Sequence, residues 1–160
     1  MRNVISNTTP ILSLLKIDKL DVLQKLYGEI IIPNAVYKEI EQGINKPYYQ
    51  NLKEIIWIKI EGISDKKALQ YFNDLDAGEA EVLILANEIN ADLVIIDEIL
   101  GRKFAQKLNI NLTGTLGILL KAKELNYIEN ISSLITQLRD KGTWINPKLA
   151  NKILELANEL

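Results

Sequence analysis

Residues 93–96 read Leu-Val-Ile-Ile, an unbroken apolar run closed on both sides by aspartate, Asp92 and Asp97. A strand with one wet face alternates polar and apolar residues, so a run without alternation has both faces covered, as in a parallel sheet. Parallel strands need a crossover connection, usually a helix, and this segment therefore points to an alternating α/β layout. The rest of the chain fits. Asn3–Asn7, Glu29–Ile32, Ile55–Ile60 and Ile110–Thr113 read as further short strands. Between them, apolar residues recur at helical spacing after Pro10, over Asp18–Tyr27 up to Gly28, and over Ala35–Gln42. The same spacing recurs from Ser64 to about Asn73, from Asp76 through Ala86, over Leu100–Leu108 and over Leu116–Leu125. Ile131–Lys141 and the stretch from about Lys148 to Leu160 are helices after the last strand. No repeat or linker interrupts the pattern. The expected organisation is one domain over 1–160 with a C-terminal helical extension from about residue 131, and 160 residues suffice for a sizeable core.

Two absences narrow the chemistry. The chain has no cysteine and no histidine, which removes thiol nucleophiles, Ser-His triads, Cys/His zinc sites and imidazole acid–base catalysis. Carboxylates, hydroxyls, lysine or a hard cation bound through oxygen remain. The net charge of −2 excludes a basic nucleic-acid scaffold as a whole-chain description, leaving room for a local patch such as Lys16, Lys46, Arg102, Lys103 and Lys121. No apolar run approaches the ~20 residues of a membrane span. The apolar stretch in residues 1–15 is broken by Asn3, Ser6, Asn7 and Pro10 and has no small-residue cleavage site after it. A soluble, cytoplasmic protein is expected.

In an open α/β sheet ligands sit beyond the carboxyl ends of the strands, and this rule sorts the 21 acids. Asp97 closes the most apolar strand, and Asn7 closes the first in the equivalent place. Glu39 lies on the helix after the second strand; Glu79 opens the helix that precedes the Asp97 strand. Closely placed carboxylates repel unless a hard divalent cation joins them, and Mg²⁺, which keeps several waters and takes few carboxylates, suits phosphodiester chemistry. Structural readings stand beside each residue. Asp76 and Glu79 form a D-x-x-E capping box, Glu39 is one acid on a charged helix face, and Asp97 sits where a cap of the next helix belongs. Glu98 is adjacent and able to substitute for Asp97. Ser6, Thr8 and Thr9 offer hydroxyls to orient Asn7, and Arg102 and Lys103 lie one turn beyond Asp97 as phosphate contacts or plain helix surface. Trp57 and Trp144 are read as packing residues, given the area tryptophan buries.

The chain resembles the PIN-domain family, in particular its small free-standing prokaryotic branch of toxin ribonucleases. The resemblance rests on Val4-Ile-Ser-Asn-Thr-Thr-Pro-Ile11, Ile31-Ile-Pro-Asn-Ala-Val-Tyr-Lys-Glu39, Leu75-Asp-Ala-Gly-Glu-Ala-Glu81, Leu93-Val-Ile-Ile-Asp-Glu98 and Thr113-Gly-Thr-Leu-Gly-Ile118, in that order. It implies a three-layer α/β/α sandwich around a parallel sheet and an Mg²⁺- or Mn²⁺-dependent RNA-cleaving centre. The catalytic acids would be Glu39, Glu79 and Asp97, with Asn7, Glu79 and Asp97 on the metal and a hydroxyl from Thr8 or Thr9. The products would carry 5′-phosphate and 3′-hydroxyl ends. The resemblance further implies a homodimer and a small antitoxin protein lying across the groove. One position departs from the pattern: the family's first aspartate is Asn7 here, an oxygen donor without charge. That leaves a second class of reading, a catalytically impaired PIN-fold binding module. A third, an Mg²⁺-dependent phosphatase or phosphotransferase, needs a nucleophilic aspartate where Asn7 stands.

Overall fold

The computed structural model describes residues 2–160. Five strands form one all-parallel sheet in the order β3-β2-β1-β4-β5: β1 Val4–Ser6, β2 Ile30–Pro33, β3 Ile58–Glu61, β4 Leu93–Ile95 and β5 Leu112–Thr113. Helices cover both faces, giving the three-layer α/β/α sandwich expected from the sequence. The helices are α1 Thr8–Lys16, α2 Asp21–Tyr27, α3 Asn34–Glu41, α4 Ala77–Glu88, α5 Ile99–Lys107, α6 Thr115–Glu124, α7 Ser132–Asp140 and α8 Pro147–Leu156.

Burial follows strand position. Every residue of β1, β2 and β4 is buried, whereas the edge strands β3 and β5 are only partly covered. This is the pattern that an unbroken apolar run requires of a central parallel strand. Helix α4 packs against β1, β2 and β4 and is buried from Gly78 through Ala86 except at Glu81, as an apolar helix under a sheet must be. Against it lie α3 and α5, while α6 packs against α1, α2 and α8.

Two segments differ from the expectation. Lys66–Phe72 is a 3₁₀ segment capped by Asp65, where the sequence suggests a helix from Ser64. None of its residues is buried, so no packed face holds it to α-helical geometry. Strand β3 begins at Ile58 and not at Ile55, because its partner β2 begins at Ile30, which pairs with Ile58; Ile56 is left pointing into solvent.

Helix ends are set largely by asparagine. Asn90, Asn109, Asn126 and Asn158 take positive φ just past α4, α5, α6 and α8, with Asp18 doing the same after α1. At each, the next residue's N–H reaches back to a carbonyl in the last turn, for example Glu159 N–H to Leu154 O at 2.8 Å. Asparagine pays less than most residues for the left-handed region, so it serves where glycine is more usual.

The last of these turns carries Glu159 into place. Its carboxylate accepts the N–H groups of Ile131 and Ser132, at 2.7 and 2.9 Å, and the Lys123 ammonium at 2.9 Å. Burial would raise its pKa, but the two N–H donors and the Lys123 charge overcome that and hold it at about 2. A depressed pKa contributes stability above the ordinary 4.5 that is lost as pH falls towards 2. Glu159→Gln is therefore expected to cost about 2 kcal/mol at pH 7. Urea denaturation of the two proteins should show the difference shrinking below pH 4.5 and vanishing near pH 2.

Candidate active site

The strand order reverses at β1, which pairs with β2 on one side and β4 on the other. This switch point is where open α/β sheets leave a crevice beyond the strand ends. Val4, Ile5 and Ser6 pair with Leu93, Val94 and Ile95, and the Asn7 N–H extends the ladder to Ile95 O at 2.9 Å. Both strands thus deliver their next residues, Asn7 on one side and Asp97 and Glu98 on the other, to the same rim.

Asn7 is buried, and its amide has two different faces. Nδ2 donates to Glu98 Oε2 at 3.1 Å, and Thr9 Oγ1 donates to the other Glu98 oxygen at 2.5 Å. Oδ1 is turned the opposite way, towards Gly78 in the first turn of α4. A Cβ placed on Gly78 would lie 3.3 Å from Asn7 Oδ1 and 2.5 Å from Glu39 Oε1. The absence of a side chain there lets α3, α4 and the end of β1 close around one point. Asn7 Oδ1 is a buried side-chain oxygen with no hydrogen-bond partner among the described residues. An acceptor buried without a donor, facing a carboxylate, is a position that a cation satisfies.

The acids around that point feel one another. Burial, then the charges of Asp76, Glu98 and Glu39, push Glu79 up to about 7, against the nearby Asp76 N–H. Glu39 is raised by burial and by Asp76 and Glu98, opposed by Thr8 and the Gly78 N–H. Asp97 is raised by burial and by Glu98; the two hydrogen bonds from Thr115 and the charge of Arg102 oppose the rise. Among the described residues no three acids are already gathered into a ready-made metal site. Repulsion between uncompensated carboxylates is reason enough for that spacing.

The side chains chosen from the sequence are thus placed unequally. Asn7 Oδ1 and Glu39 Oε1 meet at Gly78 in the first turn of α4, whereas the Glu79 carboxyl lies against Gly101 of α5. Glu98 is the central group: it touches Asn7 and Thr9, and its charge reaches Glu39, Glu79 and Asp97. Asp97 stands at the outer edge, where Thr115 N–H and Thr115 Oγ1 bond its two oxygens at 2.7 and 2.6 Å. It therefore caps α6, not the following helix α5, whose N-cap is Glu98. Asp76 does cap α4 through the Glu79 N–H at 2.8 Å, so capping box and acidic rim coexist. Ser6 donates to the Asn7 carbonyl at 3.0 Å and only steadies the backbone. Arg102 donates to Ile96 O at 2.9 Å, a cation tied to the strand end; Lys103 is exposed on α5. Thr115 was not singled out by sequence reasoning, although Gly114-Thr115 follows β5 as Asn7 follows β1.

The architecture is a three-layer α/β/α fold with acids at the switch point of its parallel sheet. The chain belongs to the PIN-domain family: a family model described as a PIN domain matches residues 3–159. PIN domains generally use divalent metals. No curated protein matches the chain. No helix among the described residues is long and apolar enough to cross a membrane.

A raised carboxyl pKa gives stability that is present below the ordinary 4.5 and is lost as pH rises through about 7. Glutamine carries no charge at either pH. In EDTA, Glu79→Gln is expected to melt above the wild type at pH 8 and level with it at pH 4, as read by scanning calorimetry.

Proposed function

We propose that this protein is a divalent-metal-dependent endoribonuclease, the toxin of a toxin–antitoxin pair. The observation that carries the nuclease reading is the orphaned Asn7 Oδ1, aimed with Glu39 at the first turn of α4 among Glu79, Glu98 and Asp76. Oxygen donors alone, with no nitrogen or sulfur, suit Mg²⁺ or Mn²⁺. Asn7, Glu39 and Glu79 would hold the ion, Glu98 would supply the charge that an amide at position 7 lacks, and Asp97 would close the ring. A cation bound there supplies Lewis-acid polarisation of a phosphate oxygen and a more acidic water.

The chain's own groups do the positioning. Thr115 fixes Asp97 through both carboxylate oxygens, and Thr9 with Asn7 fixes Glu98. Glu39 orients the attacking water. Water adds to phosphorus, the P–O3′ bond breaks, and the 3′ oxygen leaves with a proton, giving 5′-phosphate and 3′-hydroxyl ends. Arg102 lies beside Asp97 at Gly114 and Lys103 is exposed on the same helix, and both would meet the RNA backbone. The toxin role, a homodimer, a small antitoxin protein and a cytoplasmic setting rest on the resemblance to the small free-standing PIN proteins.

A second reading has its own observation. The amide at position 7 brings no charge, and ligand charge count sets affinity for a hard cation, so the domain would be a catalytically impaired binding module. Single-stranded and structured RNAs incubated with Mg²⁺ or Mn²⁺ separate the two. Cleavage abolished by EDTA and by Asp97→Ala supports the nuclease; cleavage indifferent to both, or none at all, removes it. Gly78→Ala should push the Glu39 carboxylate aside and weaken Mn²⁺ binding about tenfold in a calorimetric titration. Asn7→Asp sets a carboxylate against Glu98, so its melting temperature should fall in EDTA and rise more than the wild type's with Mn²⁺. A gain of cleavage in that variant from an inactive wild type marks the impaired module. Arrest of a bacterial host on induction, relieved by Asp97→Ala, tests the toxin role.

A further inference from the structure

Trp144 is 80% exposed, where sequence reasoning expects it to pack. Trp57, by contrast, is half-buried against the core. The indole lies on the wall of a cleft of about 310 Å³ that opens onto Asp97 and Thr115 at one end. Thr9 and Ser13 of α1 also line it, as do Ile99 and Leu149, themselves 74% and 49% exposed. Large apolar side chains left in water beside a polar rim mark a binding surface.

Charge says what kind of ligand. The segment 139–148, which carries Trp144, holds Arg139, Lys141 and Lys148 against the single acid Asp140, in a chain whose net charge is −2. Lys16 joins them, its ammonium donating to Thr143 Oγ1 at 3.3 Å. Thr9, Ser13 and Lys16 follow one another at i, i+4 and i+7 on α1, so the cations begin about 10 Å along the helix from the acidic rim. An exposed indole on an apolar cleft that Asp97 also lines, with Lys16 and Arg139 bonded to its Thr143 and Ile145, matches a single-stranded nucleic acid: bases stack on aromatic rings while phosphates meet the cations at the edge. A peptide helix would use the apolar lining but would set no phosphate against Lys16 and Arg139.

We propose that this cleft seats an unpaired nucleobase of the RNA against Trp144, with the neighbouring phosphates on Lys16 and Arg139. The proposal rests on the nuclease reading and names how its substrate is gripped, selecting for unpaired RNA.

Binding is measured in EDTA, where no cleavage is required, by fluorescence anisotropy of labelled decameric oligoadenylate, oligouridylate and a base-free ribose-phosphate decamer. Trp144→Ala is expected to weaken the two base-bearing strands roughly 5- to 100-fold and to leave the base-free one unchanged. Trp144→Phe should stay within a few-fold of the wild type, and the melting temperature of both variants should hold because the indole is exposed. Lys16→Ala should lower the salt slope of binding by about 0.7. Unchanged affinity in Trp144→Ala, with cleavage by the wild type intact, overturns the cleft assignment alone. Loss of a dimer in Trp144→Ala on sedimentation, with RNA affinity unchanged, gives the cleft to a second copy and overturns it too. Binding that depends on Trp144 in a wild type that cleaves nothing with Mn²⁺ upholds the cleft and removes the nuclease reading. No RNA binding by the wild type overturns both.

Discussion

The rim of this molecule depends on three residue pairs between β1 and β4, Val4 with Leu93, Ile5 with Val94 and Ser6 with Ile95. In a parallel pair the strands end at the same level, so the residues that follow emerge side by side. Register is held hard here, because a slip of one residue would turn each strand's side chains to the opposite layers of a core packed to native density. Val4, Ile5, Val94, Ile95 and Ile96 have no solvent exposure at all. From this pairing follows the meeting of Asn7 with Glu98, and from that meeting the orientation of the Asn7 amide.

That orientation creates an electrostatic debt within the fold. Burial raises Glu39, Glu79 and Asp97, and the charge of Glu98 raises all three further, with Asp76 adding to Glu39 and Glu79. Local compensation is partial. The first turn of α4 directs the Gly78 N–H at Glu39, Thr115 gives Asp97 two donors, and Arg102 lends charge from the end of β4. None of these reaches Asn7 Oδ1. Under the nuclease proposal, a cation bound at this point would relieve that strain, and the relief would be its binding energy.

Much of this was legible along the chain. Leu93–Ile96 announces a central parallel strand, and the positions after strands single out Asn7 and Asp97 because ligand sites in such sheets lie there. Glu39 and Glu79 were recognisable from their helices, one following β2 and one preceding β4. Glu98 was harder. Its place at the centre depends on which way a side chain turns at the N-cap of α5, and neighbouring acids in sequence give no hint of that. Trp144 misled because the general tendency of tryptophan is burial, whereas the short turn between α7 and α8 holds its indole outside the core. The 3₁₀ segment 66–72 has helical spacing in Ala68, Leu69 and Phe72 but no fully buried face to enforce it.

By itself the sequence determined the alternation of strands and helices, the parallel sheet and the reliance on oxygen chemistry, since periodicity and residue type act locally or by exclusion. Tertiary structure decided that the bare oxygen of Asn7 faces Glu39, that Asn7 bonds Glu98, and that Trp144 stands exposed on the cleft that Asp97 also lines. These are contacts between segments up to ninety and more residues apart, as in the Asn7–Glu98 bond across 91 positions. Their geometry comes from strand register and helix packing together, and no local pattern encodes either one alone.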